Sequence, residues 1–62
     1  MENHQYITGD KAIIVSHIAN HPYELNTNVT ILGKEDHGKW KVSDGYKESI
    51  VTGIDLFPSY DN

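Results

Sequence analysis

The residues of this chain that could do chemistry are few, and their spacing decides what each could do. His17 and His21 stand four apart, the interval that on a helix sets two imidazoles on one face as metal ligands. The residues between them, Ile18-Ala19-Asn20, do not supply the Glu of a zinc-protease motif, and Pro22 follows at once. Pro22 removes a backbone donor and disfavours a helical His21, so the segment reads as a strand leaving into a loop. Both histidines are therefore expected at the surface, and no metal or cofactor is expected. A pairing with Asp36 and His37 would require two loops to meet, which the sequence does not specify. Ser16, Ser43, Ser49 and Ser59 lack a strand-to-helix elbow, and the chain has no cysteine for thiolate chemistry. Glu35-Asp36 falls in a turn, where solvation leaves both carboxylates ionised. With 62 residues, excluding water from a reaction site while keeping a core is difficult, and the expectation is a protein that is not an enzyme.

The aromatic residues point elsewhere. Tyrosine combines a large contact area with a polar handle and is enriched at binding hot spots. Tyr23 lies in a long loop beside Pro22, and Tyr46 follows the Asp44-Gly45 turn. Together with Glu24, Asp44 and Lys47 they form the expected partner-binding set. Tyr23 has a second reading, as a plug at one end of the core. Trp40 shares a strand face with Val42 and is expected to anchor packing.

Formal net charge is −4, and all five basic residues are Lys. Phosphate and guanine recognition lean on the arginine fork and on a basic footprint, so direct nucleic-acid binding is disfavoured. Lys34, Lys39, Lys41 and Lys47 gather around the hairpin turns, but Glu35, Asp36, Asp44 and Glu48 interleave with them. The acidic balance favours a basic protein partner, including a nucleic-acid-binding protein whose groove would be blocked. Two other functions stay open: a nucleic-acid-associated module using Lys39, Lys41 and Lys47, and a self-assembling structural subunit joined through unpaired sheet edges. Protonating the four histidines near pH 5 would bring the formal charge close to zero, and solubility should fall there. No run of 18 apolar residues occurs, and the first residues lack a positive region followed by an apolar stretch, so neither a membrane span nor a signal peptide is expected. The expected location is cytoplasmic. Without disulfides the fold must rest on a small apolar core, and a chain of this size buries only about 60% of its unfolded surface, so a second copy or a partner could supply missing burial.

The elements that must position these side chains read as strands. Residues 1–8 are expected to form a loose arm that closes only if Tyr6 and Ile7 dock. A turn at Gly9-Asp10 leads into Lys11–Ile18 as the first strand, with Ala12, Ile14 and Ile18 inward. Residues 19–27 form a long irregular loop. Asn28–Lys34 is a second strand with Val29 and Ile31 on one face, and Glu35-Asp36-His37-Gly38 turns the chain. Lys39–Ser43 alternates cleanly as a third strand, and Asp44-Gly45 is a hairpin signal before Tyr46–Val51 as a fourth. Thr52–Asp55 is expected to make one helical turn that feeds Leu56 and Phe57 back to the core, with Pro58 ending regular structure and residues 59–62 fraying.

A strand after Gly-Asp, a long loop, two tight hairpins, one helical turn and a closing apolar pair resemble a small SH3-like five-stranded barrel over residues 9–58. Gly9-Asp10-Lys11, His21-Pro22-Tyr23-Glu24-Leu25, Val29-Thr30-Ile31 and Gly38-Lys39-Trp40-Lys41-Val42 are similar to small SH3-like proteins of bacteria and their phages. The resemblance implies an all-β fold and a non-enzymatic protein-binding module, an accessory protein that inhibits or modulates a host protein. Leu56-Phe57-Pro58-Ser59-Tyr60 also resembles the end of eukaryotic SH3 domains that bind proline-rich peptides. Such a groove needs several aromatics in a row, and the usual paired tryptophans are here reduced to Trp40.

Overall fold

The computed structural model describes residues 5–59. Five antiparallel strands form one sheet: β1 (Lys11–Ile14), β2 (Asn28–Asp36), β3 (Lys39–Ser43), β4 (Glu48–Thr52) and β5 (Leu56–Pro58), with a 3-10 turn at Gly53–Asp55 before β5. Their spatial order is β4-β3-β2-β1-β5, so β4 and β5 are the two edges and the sheet is not closed by hydrogen bonds. The all-β fold and the single helical turn match the expectation from the sequence.

Alternation explains which side chains fill the core. Ala12 and Ile14 of β1, Val29 and Ile31 of β2, Trp40 and Val42 of β3, Val51 of β4 and Leu56 of β5 all point inward, and each is at most 6% exposed. Each large aliphatic side chain placed there contributes about 1.5–3 kcal/mol. β2 is long enough to serve both halves of the sheet. Its first residues pair with β1 and its later ones with β3, and register shifts between Ile31 and Gly33 and between Lys34 and Asp36 bend it.

Three expectations are corrected. β1 stops at Ile14, and Ile18 is 65% exposed because the chain leaves the sheet after Val15. Phe57 is 59% exposed: β5 is extended, so Leu56 and Phe57 must face opposite ways and only Leu56 can reach the core. β4 begins at Glu48, leaving Tyr46 and Lys47 in the turn.

At the N-terminal end Tyr6 docks and Ile7 does not. Tyr6 is buried, with its ring edge-on to Trp40 at 5.3 Å. Thr8 Oγ1 donates to the Leu32 carbonyl, and the Gly9 amide donates to that of Ile31. At the other end the Ser59 amide donates to the Lys11 carbonyl; Tyr60 and the rest of the expected fraying tail lie outside the described residues. No helix among the described residues is long and apolar enough to cross a membrane.

Candidate functional site

Tyr23 of the long loop meets the β3–β4 turn. Pro22 and the loop carry Tyr23 inward, where it is 3% exposed and its phenol donates to the carbonyls of Lys47 at 2.9 Å and Val42 at 3.2 Å. Tyr23 thus takes the packing role. Burial raises the Tyr23 phenol pKa, and the nearby Asp44 and Glu48 carboxylates raise it further. Glu24 beside it is exposed.

The turn that Tyr23 supports is built by Asp44. Its Oδ1 accepts from the amides of Tyr46 and Lys47, both at 2.9 Å, while Ser43 Oγ accepts from the Gly45 amide at 3.0 Å. Those amide donors, that of Lys47 first, hold the Asp44 carboxyl below the usual carboxylate range. Gly45 takes φ +98°, a conformation that favours glycine. Tyr46 sits at the tip and is 94% exposed. The structure therefore joins Asp44, Tyr46 and Lys47 in one turn with Tyr23 beneath it, while among the described residues no hydrogen bond or ion pair brings the Glu24 side chain to them.

Asp55 is the polar centre that sequence reasoning missed. It is fully buried, and its carboxylate accepts from Ser16 Oγ at 2.5 Å, the Ile18 amide at 2.7 Å, the Ala19 amide at 3.0 Å and the Thr52 amide at 3.2 Å. Burial alone would raise its pKa, but the donors from Ser16, Thr52, Ile18 and Ala19 together outweigh it and lower the value. Thr52 Oγ1 accepts in return from the Asp55 amide, which completes a capping box. The signal was present as Thr52-x-x-Asp55 ahead of a helical turn.

Both histidines belong to this network, and His21 corrects the expectation of a surface position. It is 7% exposed, and its Nδ1 accepts from the Tyr23 amide at 3.1 Å. The proton must then sit on Nε2, which donates to the Ser16 carbonyl at 2.7 Å. His17 stacks on His21 with ring centroids 4.6 Å apart and bonds through Nε2 to the Tyr23 carbonyl at 2.6 Å. These three nitrogens are committed to backbone. Ser16, His21 and Asp55 bring the residue types of a catalytic triad together, but the wiring differs. Ser16 Oγ donates its hydrogen bond directly to Asp55, and the His21 lone pair is taken by an amide, so no imidazole reaches the serine hydroxyl.

The remaining feature is a cleft of about 610 Å³ lined by Ile18, Ala19, Glu35, Asp36, Lys39, Ile50 and Thr52. Because Lys39 pairs with Thr52 and Ser43 with Glu48, it lies at the opposite end of the β3–β4 hairpin from Tyr46. Lys41 on the same outer face is engaged by Glu48 at 3.7 Å. Compared with known proteins, the chain matches no family model, no curated protein and no solved structure.

Proposed function

We propose that this chain is a non-enzymatic protein-binding module on an SH3-like barrel, an accessory protein of the phage or mobile-element kind that modulates a host protein by covering part of its surface. The strand order, with a 3-10 turn between β4 and β5, is what supports the barrel reading. The observation that carries the binding reading is Tyr46: a tyrosine 94% exposed on a turn fixed by Asp44, Ser43 and Tyr23. A rigid exposed aromatic contributes contact area with little ordering cost on binding. Asp44 beside it and the exposed Glu24 of the long loop favour a basic partner surface.

The two other readings draw less support. Lys41 is matched by Glu48, which weakens a phosphate-binding stripe. Self-assembly by strand pairing needs open edges, and the β5 edge is blunted. On β5 the outward positions are Leu56 and Pro58. The Leu56 amide already donates to the Gly53 carbonyl, and proline has no amide hydrogen.

The test is affinity capture from bacterial lysate, with and without nuclease, using the natural chain and Tyr46→Ala. A stoichiometric protein that survives nuclease and is lost with Tyr46→Ala supports the reading. A catch that vanishes with nuclease replaces it with the nucleic-acid module.

A further inference from the structure

Edge strand β4 has two open rungs. The Gly53 amide donates to the Gly38 carbonyl and the Asp44 amide to that of Lys47, and both pairs obey the β3–β4 register. Hydrogen-bonded rungs in an antiparallel pair recur every second residue, so Lys47, Ser49, Val51 and Gly53 face β3 while Glu48, Ile50 and Thr52 turn their backbone groups outward. Asp55 occupies the Thr52 amide. Glu48 and Ile50 thus each offer an amide and a carbonyl that bond to no other described residue.

Beside these rungs lies the cleft. Ile50, 41% exposed, and Ile18, 65% exposed, both line it. Residues 18 and 19 are fastened to Asp55, which closes the Thr52 end and limits an added strand to a few residues. A second copy is the poorer fit: two β4 strands centred on Ile50 would oppose Glu48 to Thr52, whose amide Asp55 occupies, centring on Glu48 would set two carboxylates face to face, and centring on Ser49 would leave each Glu48 opposite Ile50 with no cation.

We propose that the β4 edge receives a short antiparallel segment of a partner protein, with an apolar residue opposite Ile50 and a Lys or Arg two positions later opposite Glu48. Residues directly opposite one another share a sheet face, so the apolar side chain enters the cleft between Ile50 and Ile18. The basic side chain meets Glu48, whose present ion pair with Lys41 is exposed and weakly held. Glu35 and Asp36, which line the cleft together with a single cation, Lys39, and the net charge of −4 favour the same sign. This surface extends the protein-binding reading without depending on Tyr46.

The probe is the peptide acetyl-Thr-Val-Ser-Lys-Thr-amide, titrated into the isotope-labelled full chain and followed by amide NMR shifts. Saturable shifts are expected at Glu48, Ile50 and Ile18. Changing the peptide Lys to Glu should weaken binding by about tenfold or more, and N-methylating the peptide Val should abolish it. Ile50→Pro, which deletes an outward amide and spares the ladder to β3, should abolish binding with the strand otherwise intact. Tyr46→Ala should leave the titration unchanged, so failure of the turn surface and failure of the edge register separately. The proposal is overturned by absence of saturable shifts into the millimolar range, by shifts confined to Asp44–Lys47, by equal binding of the N-methyl peptide, or by β4 shifts that follow protein concentration alone, which would seat a second copy there.

Discussion

The Tyr23 phenol is shared between the carbonyls of Lys47 and Val42, so a residue of the long loop holds the turn that follows β3. Removing the hydroxyl deletes this bridge, although the Lys47 carbonyl keeps the Asp44 amide as a donor. Tyr23→Phe should therefore destabilise the protein by about 0.5–1.5 kcal/mol, read from urea unfolding. The phenol titrates higher in the folded state than in the unfolded chain. Its contribution is present in full below the unfolded value, about 10, and is lost as pH rises through the folded value. The alkaline loss of stability should be shallower in Tyr23→Phe, and equal alkaline curves would refute this role.

Asp55 has the opposite sign. Its carboxyl is lowered in the folded state, so its contribution holds above the unfolded value of about 4 and disappears as pH falls through the folded one. Natural protein should lose stability on acidification below about pH 4. Asp55→Asn keeps the shape but cannot accept every donor, and should be less stable near neutrality by about 1–3 kcal/mol, with a flatter acid limb. Hydrogen exchange at Ile18 and Ala19 should accelerate in the same variant.

How much of this was legible in the sequence follows from the range of the interactions. β3 could be read to the residue because Lys39-Trp40-Lys41-Val42-Ser43 alternates between two turn signals. Glycines at φ +66° in Gly38 and +98° in Gly45 confirm both turns. Asp44, Tyr46 and Lys47 share one turn, but the docking of Tyr23 beneath it depends on a bond across 24 residues, which periodicity does not encode. Asp55 reaches 36 to 39 residues back for most of its donors, so only its local capping pattern was visible. Ile18 and Phe57 are apolar yet exposed because backbone direction, not hydrophobicity, decides the face.

The arm residue Tyr6 tests how marginal the core is. A domain of this length has a total stability on the order of 3–9 kcal/mol, and deleting a buried aromatic costs about 3–5 kcal/mol. Tyr6→Ala removes the edge-on contact with Trp40 and should leave much of the population unfolded at 37 °C, visible as lost near-ultraviolet circular dichroism. A small change in melting temperature would show that the arm is dispensable.

Tyr46 should behave in the reverse manner. Its side chain is almost wholly exposed, and the turn is held by Asp44, Ser43 and Tyr23 through backbone groups that survive truncation at position 46. Tyr46→Ala should shift stability by less than about 0.5 kcal/mol. If Tyr46 anchors the partner, the same change should weaken binding by about 2 kcal/mol or more, some thirtyfold in affinity. Unfolding and binding measured on one preparation separate the two quantities. Asp44→Ala offers the complementary case: it loosens the turn without touching the ring, and should weaken binding mainly by restoring freedom that Tyr46 must lose again in the complex. A partner that tolerates Tyr46→Ala would place the contact surface elsewhere on the molecule.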